Sequence, residues 1–171
     1  MDSPLLYIAL IVAVIVLAML LPRWIRLTSR SAAARETRRL SEPRTAAALD
    51  VLGDTLVVSA PEPVVRELVD TIAMQRPRAF TILPDGGYGI RFAEPDDAVV
   101  RLLAVPDGTR VQVSGFREYS GMPNSWAFWT ELRTHVRALA EEQGIASTEG
   151  PRVRFDRGPG NDPTWTVVGD A

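Results

Sequence analysis

The chain has 171 residues, no cysteine, and nineteen basic residues against twenty-one acidic ones. Without cysteine there are no disulfides, no thiolate chemistry and no lipidated cysteine. Residues 23–45 carry a net charge of +5 and residues 46–171 a net charge of −6. A basic collar therefore precedes an acidic body, and an acidic body argues against nucleic acid as a partner, because phosphates repel it.

In chain order, the first element is Leu5 to Leu21, seventeen consecutive residues without charge in a charge-free window from Ser3 to Pro22. At about 1.5 Å rise per residue, some twenty helical residues match a hydrocarbon core of roughly 30 Å. Backbone amides find no water there, so the segment is expected to be a transmembrane helix over residues 1–22. The N-terminal flank is acidic and no small-x-small site follows the apolar run, which argues for a retained anchor over a cleaved signal. Arg23, Arg26 and Arg30, with Arg35, Arg38 and Arg39, fall in the flank that sets orientation. The positive-inside rule then puts the N-terminus outside and the following domain in the cytoplasm. Arg23, Arg26 and Arg30 are also the candidates for contact with anionic lipid of the inner leaflet. Trp24 stands where an interfacial aromatic belongs.

Residues 23–50 read as a basic juxtamembrane helix that Pro43 ends, followed by a linker or one further helical turn. An α+β domain is expected over residues 51–145. Asp54–Ser59 is a β-branched run, and Ser59-Ala60-Pro61-Glu62 has the spacing of a capping box. Val64, Val65, Leu68, Val69 and Ile72 then form one apolar helical stripe, with Arg66 and Asp70 placed to pair at i, i+4. Four strands follow, over Arg78–Leu83, Tyr88–Ala93, Ala98–Val105 and Thr109–Phe116, separated by Pro-Asp-Gly and Glu-Pro-Asp-Asp turns. After an irregular piece, Asn124 or Ser125 caps a long helix running to about Gln143, with Gly144 as its terminator. Its stripe is Trp126, Trp129, Leu132, Val136, Leu139 and Ala140. Residues 146–171 read as a tail or a loose hairpin. The fold class is thus α+β: an N-terminal transmembrane helix and a small β-α-β-β-β-β-α domain, an antiparallel meander packed on its long C-terminal helix.

Two stretches carry a family resemblance. Val57-Val58-Ser59-Ala60-Pro61-Glu62-Pro63-Val64-Val65 looks like an opening strand entering its helix through proline. Pro106-Asp107-Gly108-Thr109-Arg110-Val111-Gln112-Val113 looks like a late hairpin ahead of a closing helix. Over about residues 54–144 the order resembles the START-like (SRPBCC, helix-grip) superfamily, in a truncated form with room for four strands between the helices. The resemblance implies a sheet gripping the long helix around an apolar cavity. Tyr88, Phe92, Trp126 and Trp129 are the candidate lining of that pocket.

No catalytic set is legible. His135 is the lone histidine, without the companions that a zinc site or a nucleophile–base pair needs. Glu118, Tyr119 and His135 are the one conceivable acid–base cluster. Gly86-Gly87-Tyr88-Gly89 opens a strand without a following lysine and reads as a hairpin rather than a phosphate loop. The expectation is a membrane-anchored, non-enzymatic binding or accessory module for an apolar ligand or a partner protein, needing no cofactor or metal. The alternative is a structural or scaffolding protein with a solid core.

Overall fold

The computed structural model describes residues 43–160 and 163–170, within a unit that spans Pro43–Ala171. The expected transmembrane helix, the basic stretch with Arg23, Arg26 and Arg30, and the topology inferred from them lie outside the described residues. Among the described residues no helix is long and apolar enough to cross a membrane.

The unit is α+β, with three helices and an antiparallel sheet. Helix α1 covers residues 43–53, where a linker or one further helical turn was expected. Ala-rich sequence favours helix, and Ala48 and Leu52, one turn apart, are buried in the core. The compact unit spans Pro43–Ala171 and takes in this helix with the elements that follow it; the expected helix ahead of Pro43 lies outside the described residues. Strand β1 (Leu56–Val58) leads to α2 (Glu62–Gln75). Strands β2 (Phe80–Ile82), β3 (Tyr88–Ile90), β4 (Ala98–Val105), β5 (Gly108–Tyr119) and β6 (Met122–Pro123) precede α3 (Trp126–Glu142). Beyond it come β7 (Ser147–Glu149), β8 (Val153–Arg157) and β9 (Thr164–Asp170).

Strand β5 is the spine. Along one edge it pairs with β4 from Val105↔Gly108 to Ala98↔Phe116. Its other edge is shared: Thr109–Val111 pair with β1, and Gly115–Arg117 pair with β9. The sheet runs β2-β3-β4-β5-β1-β7, with the β8–β9 hairpin attached through β9. Within residues 146–171 the expected hairpin alternative is the one formed, β8 pairing with β9, and β9 joins that hairpin to β5. The amides left open on β5 beyond β1 supply the reason, since buried backbone polar groups require partners.

The helices cover one face. Val65, Leu68, Val69 and Ile72 of α2 and Trp129, Leu132, Val136 and Ala140 of α3 meet Leu56, Val58, Val100, Val111, Val113 and Phe116 in a single core. Each such side chain contributes on the order of 1.5–3 kcal/mol on burial. Two local expectations are corrected. Helix α2 starts at Glu62 with Pro61 at its N-cap and no side-chain cap. Glu62 instead accepts from Arg66 at 2.6 Å, which leaves Asp70 to accept the Tyr88 hydroxyl at 2.8 Å.

Candidate functional site

The four aromatic side chains expected to share one pocket are divided between core and surface. Tyr88 and Trp129 are buried core members. The Tyr88 hydroxyl is tied to Asp70 on α2, and the Trp129 indole donates to the Asp54 carbonyl at 3.2 Å. Burial, reinforced by the bond to Asp70, pushes the Tyr88 phenol above its ordinary range. Phe92 and Trp126 are exposed. Strand β3 ends at Ile90, so the alternation that buries Tyr88 and Ile90 does not carry Phe92 inward, and its ring rests against Tyr119. Trp126 is the first residue of α3 and faces α1 rather than the sheet.

The apolar concavity that Trp126 does line lies on the surface, between α1, β6 and the start of α3. Its lining is Arg44, Ala47, Ala48, Val51, Met122 and Trp126, around a volume of about 270 Å³. The four α1 residues stand at i, i+3, i+4 and i+7, one face of a helix. Alanine at two of them leaves the hollow that Trp126 and Met122 overhang. Thr45 donates to the Gly121 carbonyl at 3.3 Å, fixing α1 against the β5–β6 turn. Among the described lining residues Arg44 is the only charged side chain.

The polar clusters have a different character. Asp97, 1 % exposed, accepts from the backbone amides of Phe92, Ala93 and Glu94 at 2.5–3.1 Å, and from the Tyr119 hydroxyl. Burial alone would raise this carboxyl; the Tyr119 hydroxyl and the three amides outweigh it and hold it below the ordinary range. Glu118 accepts two guanidinium bonds from Arg157, at 2.9 and 2.7 Å, and the Trp165 indole N–H at 2.8 Å. The Arg157 bonds, helped by Trp165, lower its pKa against the opposing effect of burial. Both carboxylates are held ionised with their lone pairs largely engaged, which suits tying a loop and a hairpin and does not suit proton transfer.

The sequence cluster of Glu118, Tyr119 and His135 is not assembled. Glu118 is bonded to Arg157, Tyr119 to Asp97, and exposed His135 contacts the Glu131 carbonyl through Nδ1 at 2.8 Å. A second concavity of about 300 Å³ lies against β4, β5 and β9, lined in part by Asp96, Arg101, Ser114 and Arg117. Its polar groups already hold one another or near neighbours: Arg101 pairs with Asp85, Arg117 with Asp96, and Ser114 donates to the Val99 carbonyl.

Sequence reading found Trp126 but not Ala47, Ala48, Val51 or Met122. The signal for the α1 residues was their one-face spacing; Met122, in a two-residue strand, carried none. Compared with protein-family models, with curated proteins and with solved structures, the chain gives no match.

Proposed function

We propose that this chain is a single-pass, membrane-anchored protein whose cytoplasmic α+β domain is a non-enzymatic binding module, taking an apolar group in the α1–α3 groove. The observation that carries the reading is the exposed apolar lining itself. Trp126 is 42 % exposed beside Ala47, Val51 and Met122, and leaving an indole in water forgoes burial that a folded chain ordinarily secures. The apolar Leu5–Leu21 run and the arginines behind it support the anchor and its orientation. The occupied carboxylates Asp97 and Glu118 weigh against catalysis. The START-like resemblance would place a ligand between sheet and long helix; Tyr88 and Trp129 are core side chains there, so the surface groove is the better site.

A photo-crosslinking residue at Ala47 of the full chain, activated in intact cells, tests this. Adducts are expected at Ala47, to be lost in a Trp126→Asp variant and absent at Ser59, which is exposed away from the groove. Equal yields at both positions would favour the scaffolding alternative.

A further inference from the structure

The groove's occupant can be named from its chemistry, on the membrane-tethered reading above. We infer that the α1–α3 groove is the face by which the folded domain rests on the anionic leaflet, with Trp126 and Met122 at the headgroup–acyl boundary and Arg44 on a lipid phosphate.

Three observations converge on a bilayer rather than a captured molecule. The first is the pairing of side-chain types. An exposed indole such as Trp126, 42 % exposed beside an apolar lining, is a side-chain type suited to the water–lipid boundary. Among the described lining residues Arg44 is the one charge, and a long arginine stem lies along apolar surface while its head reaches phosphate. The second is the balance of charge. Residues 46–171 carry a net charge of −6, so an anionic surface repels the body of the domain, and a face whose described lining carries Arg44 and no acid is suited to approach it. The third is tether length. Only residues 22–42 separate the apolar run from the first described helix, a span of at most about 75 Å even fully extended. A bilayer is then present at high effective concentration, and a weak, small patch suffices.

The absence of cysteine from the chain makes single-site labelling direct. The full-length protein is reconstituted into phosphatidylglycerol–phosphatidylcholine vesicles and into phosphatidylcholine vesicles, with a nitroxide at Ala47→Cys or at Leu103→Cys. Leu103 is exposed on the sheet face away from the helices. Collision with oxygen and with a water-soluble nickel chelate is read at each site, alongside vesicle flotation. At Ala47 the expected result is membrane-like accessibility in the anionic vesicles, weaker in the neutral ones, and water-like accessibility at Leu103 in both. Trp126→Asp should make Ala47 water-like without affecting flotation; aspartate in a helical first turn keeps α3 stable. If the protein floats but Ala47 matches Leu103, docking is overturned and tethering stands. If the Ala47 label is immobilised yet shielded from oxygen as well as nickel, a protein surface covers the groove, and docking is again overturned. Failure to float overturns the inference together with the reading beneath it.

Discussion

Arg157, at the end of β8, grips the Glu118 carboxylate of β5 through two parallel bonds at 2.9 and 2.7 Å. Between them lies β9, whose Trp165 donates to the same carboxylate and stacks on Phe116 with ring centroids 5.8 Å apart. Glu118 is 3 % exposed, whereas the Arg157 side chain is half in water. The pair is therefore one-sided: the acid depends on the arginine far more than the reverse.

That asymmetry sets the expected order of two substitutions. Arg157→Ala leaves a buried carboxylate with the indole N–H as its remaining side-chain donor, and should lower stability more than neutralising the acid does, the loss being tempered by the solvent around Arg157. Glu118→Gln keeps one acceptor and removes the charge, and should cost about 1 kcal/mol. Urea unfolding of the full-length protein in mild micelles reads both. In the Arg157→Ala protein, amides of β9 should exchange before those of β4 if the hairpin is held by this contact.

Acid should unfold the domain by way of the same group and of Asp97. Both carboxyls are held below their ordinary range, so between the folded and unfolded pKa values the unfolded chain binds more protons. Their contribution is complete above the ordinary carboxylate pKa of about 4 and is lost as pH falls through the lower folded values. Midpoints measured between pH 7 and pH 2.5 should be flat at the top and drop below about pH 4. Asp97→Asn should lower the plateau and make the drop shallower; an unchanged slope would mean that other groups drive acid unfolding.

The turn into β5 depends on one backbone position. Gly108 has φ +136°, and a Cβ there would lie 2.1 Å from the Val58 carbonyl oxygen. The clash is with backbone of β1, which β5 itself pairs with, so neither strand can give way without opening the sheet. Gly108→Ala should cost about 3 kcal/mol or more. Gly144, with φ +70° and open space where a Cβ would stand, provides the contrast, and Gly144→Ala should cost only about 1 kcal/mol of backbone strain. Thermal midpoints of the two variants should separate accordingly.

Local chemistry made much of this fold legible. Helices α2 and α3 follow from the period of their apolar residues, strand β4 from the turns that bound it, and Gly144 ends α3 as its conformational freedom suggests. What stayed hidden depends on distant partners. Nothing in Pro151-Arg152-Val153-Arg154-Phe155 says that β8 and β9 will complete an edge of β5, because that edge is known only once β1, antiparallel to β5, is seen to begin at Leu56 opposite Val111. Capping failed for a similar reason: Glu62 fits the box at Ser59, but Arg66 competes for its carboxylate and wins. The same limit applies to the groove, whose floor on α1 lies in a stretch that reads as a linker until Ala48 and Leu52 find the core.

Trp126 and Trp129 show how one apolar stripe can serve two ends. They stand three residues apart at the start of α3, and periodicity alone assigns them the same role. Trp129 is fully buried, bonded to the Asp54 carbonyl, with the Arg133 guanidinium 5.8 Å from its ring centroid. Removing it opens a large cavity, and Trp129→Ala should cost roughly 3–5 kcal/mol. Trp126 is 42 % exposed and begins the helix, so Trp126→Ala should cost less than about 1 kcal/mol. Its effect should fall instead on crosslinking from Ala47. Equal destabilisation by the two would mean that Trp126 is a core residue after all, and the groove would lose its claim to a ligand.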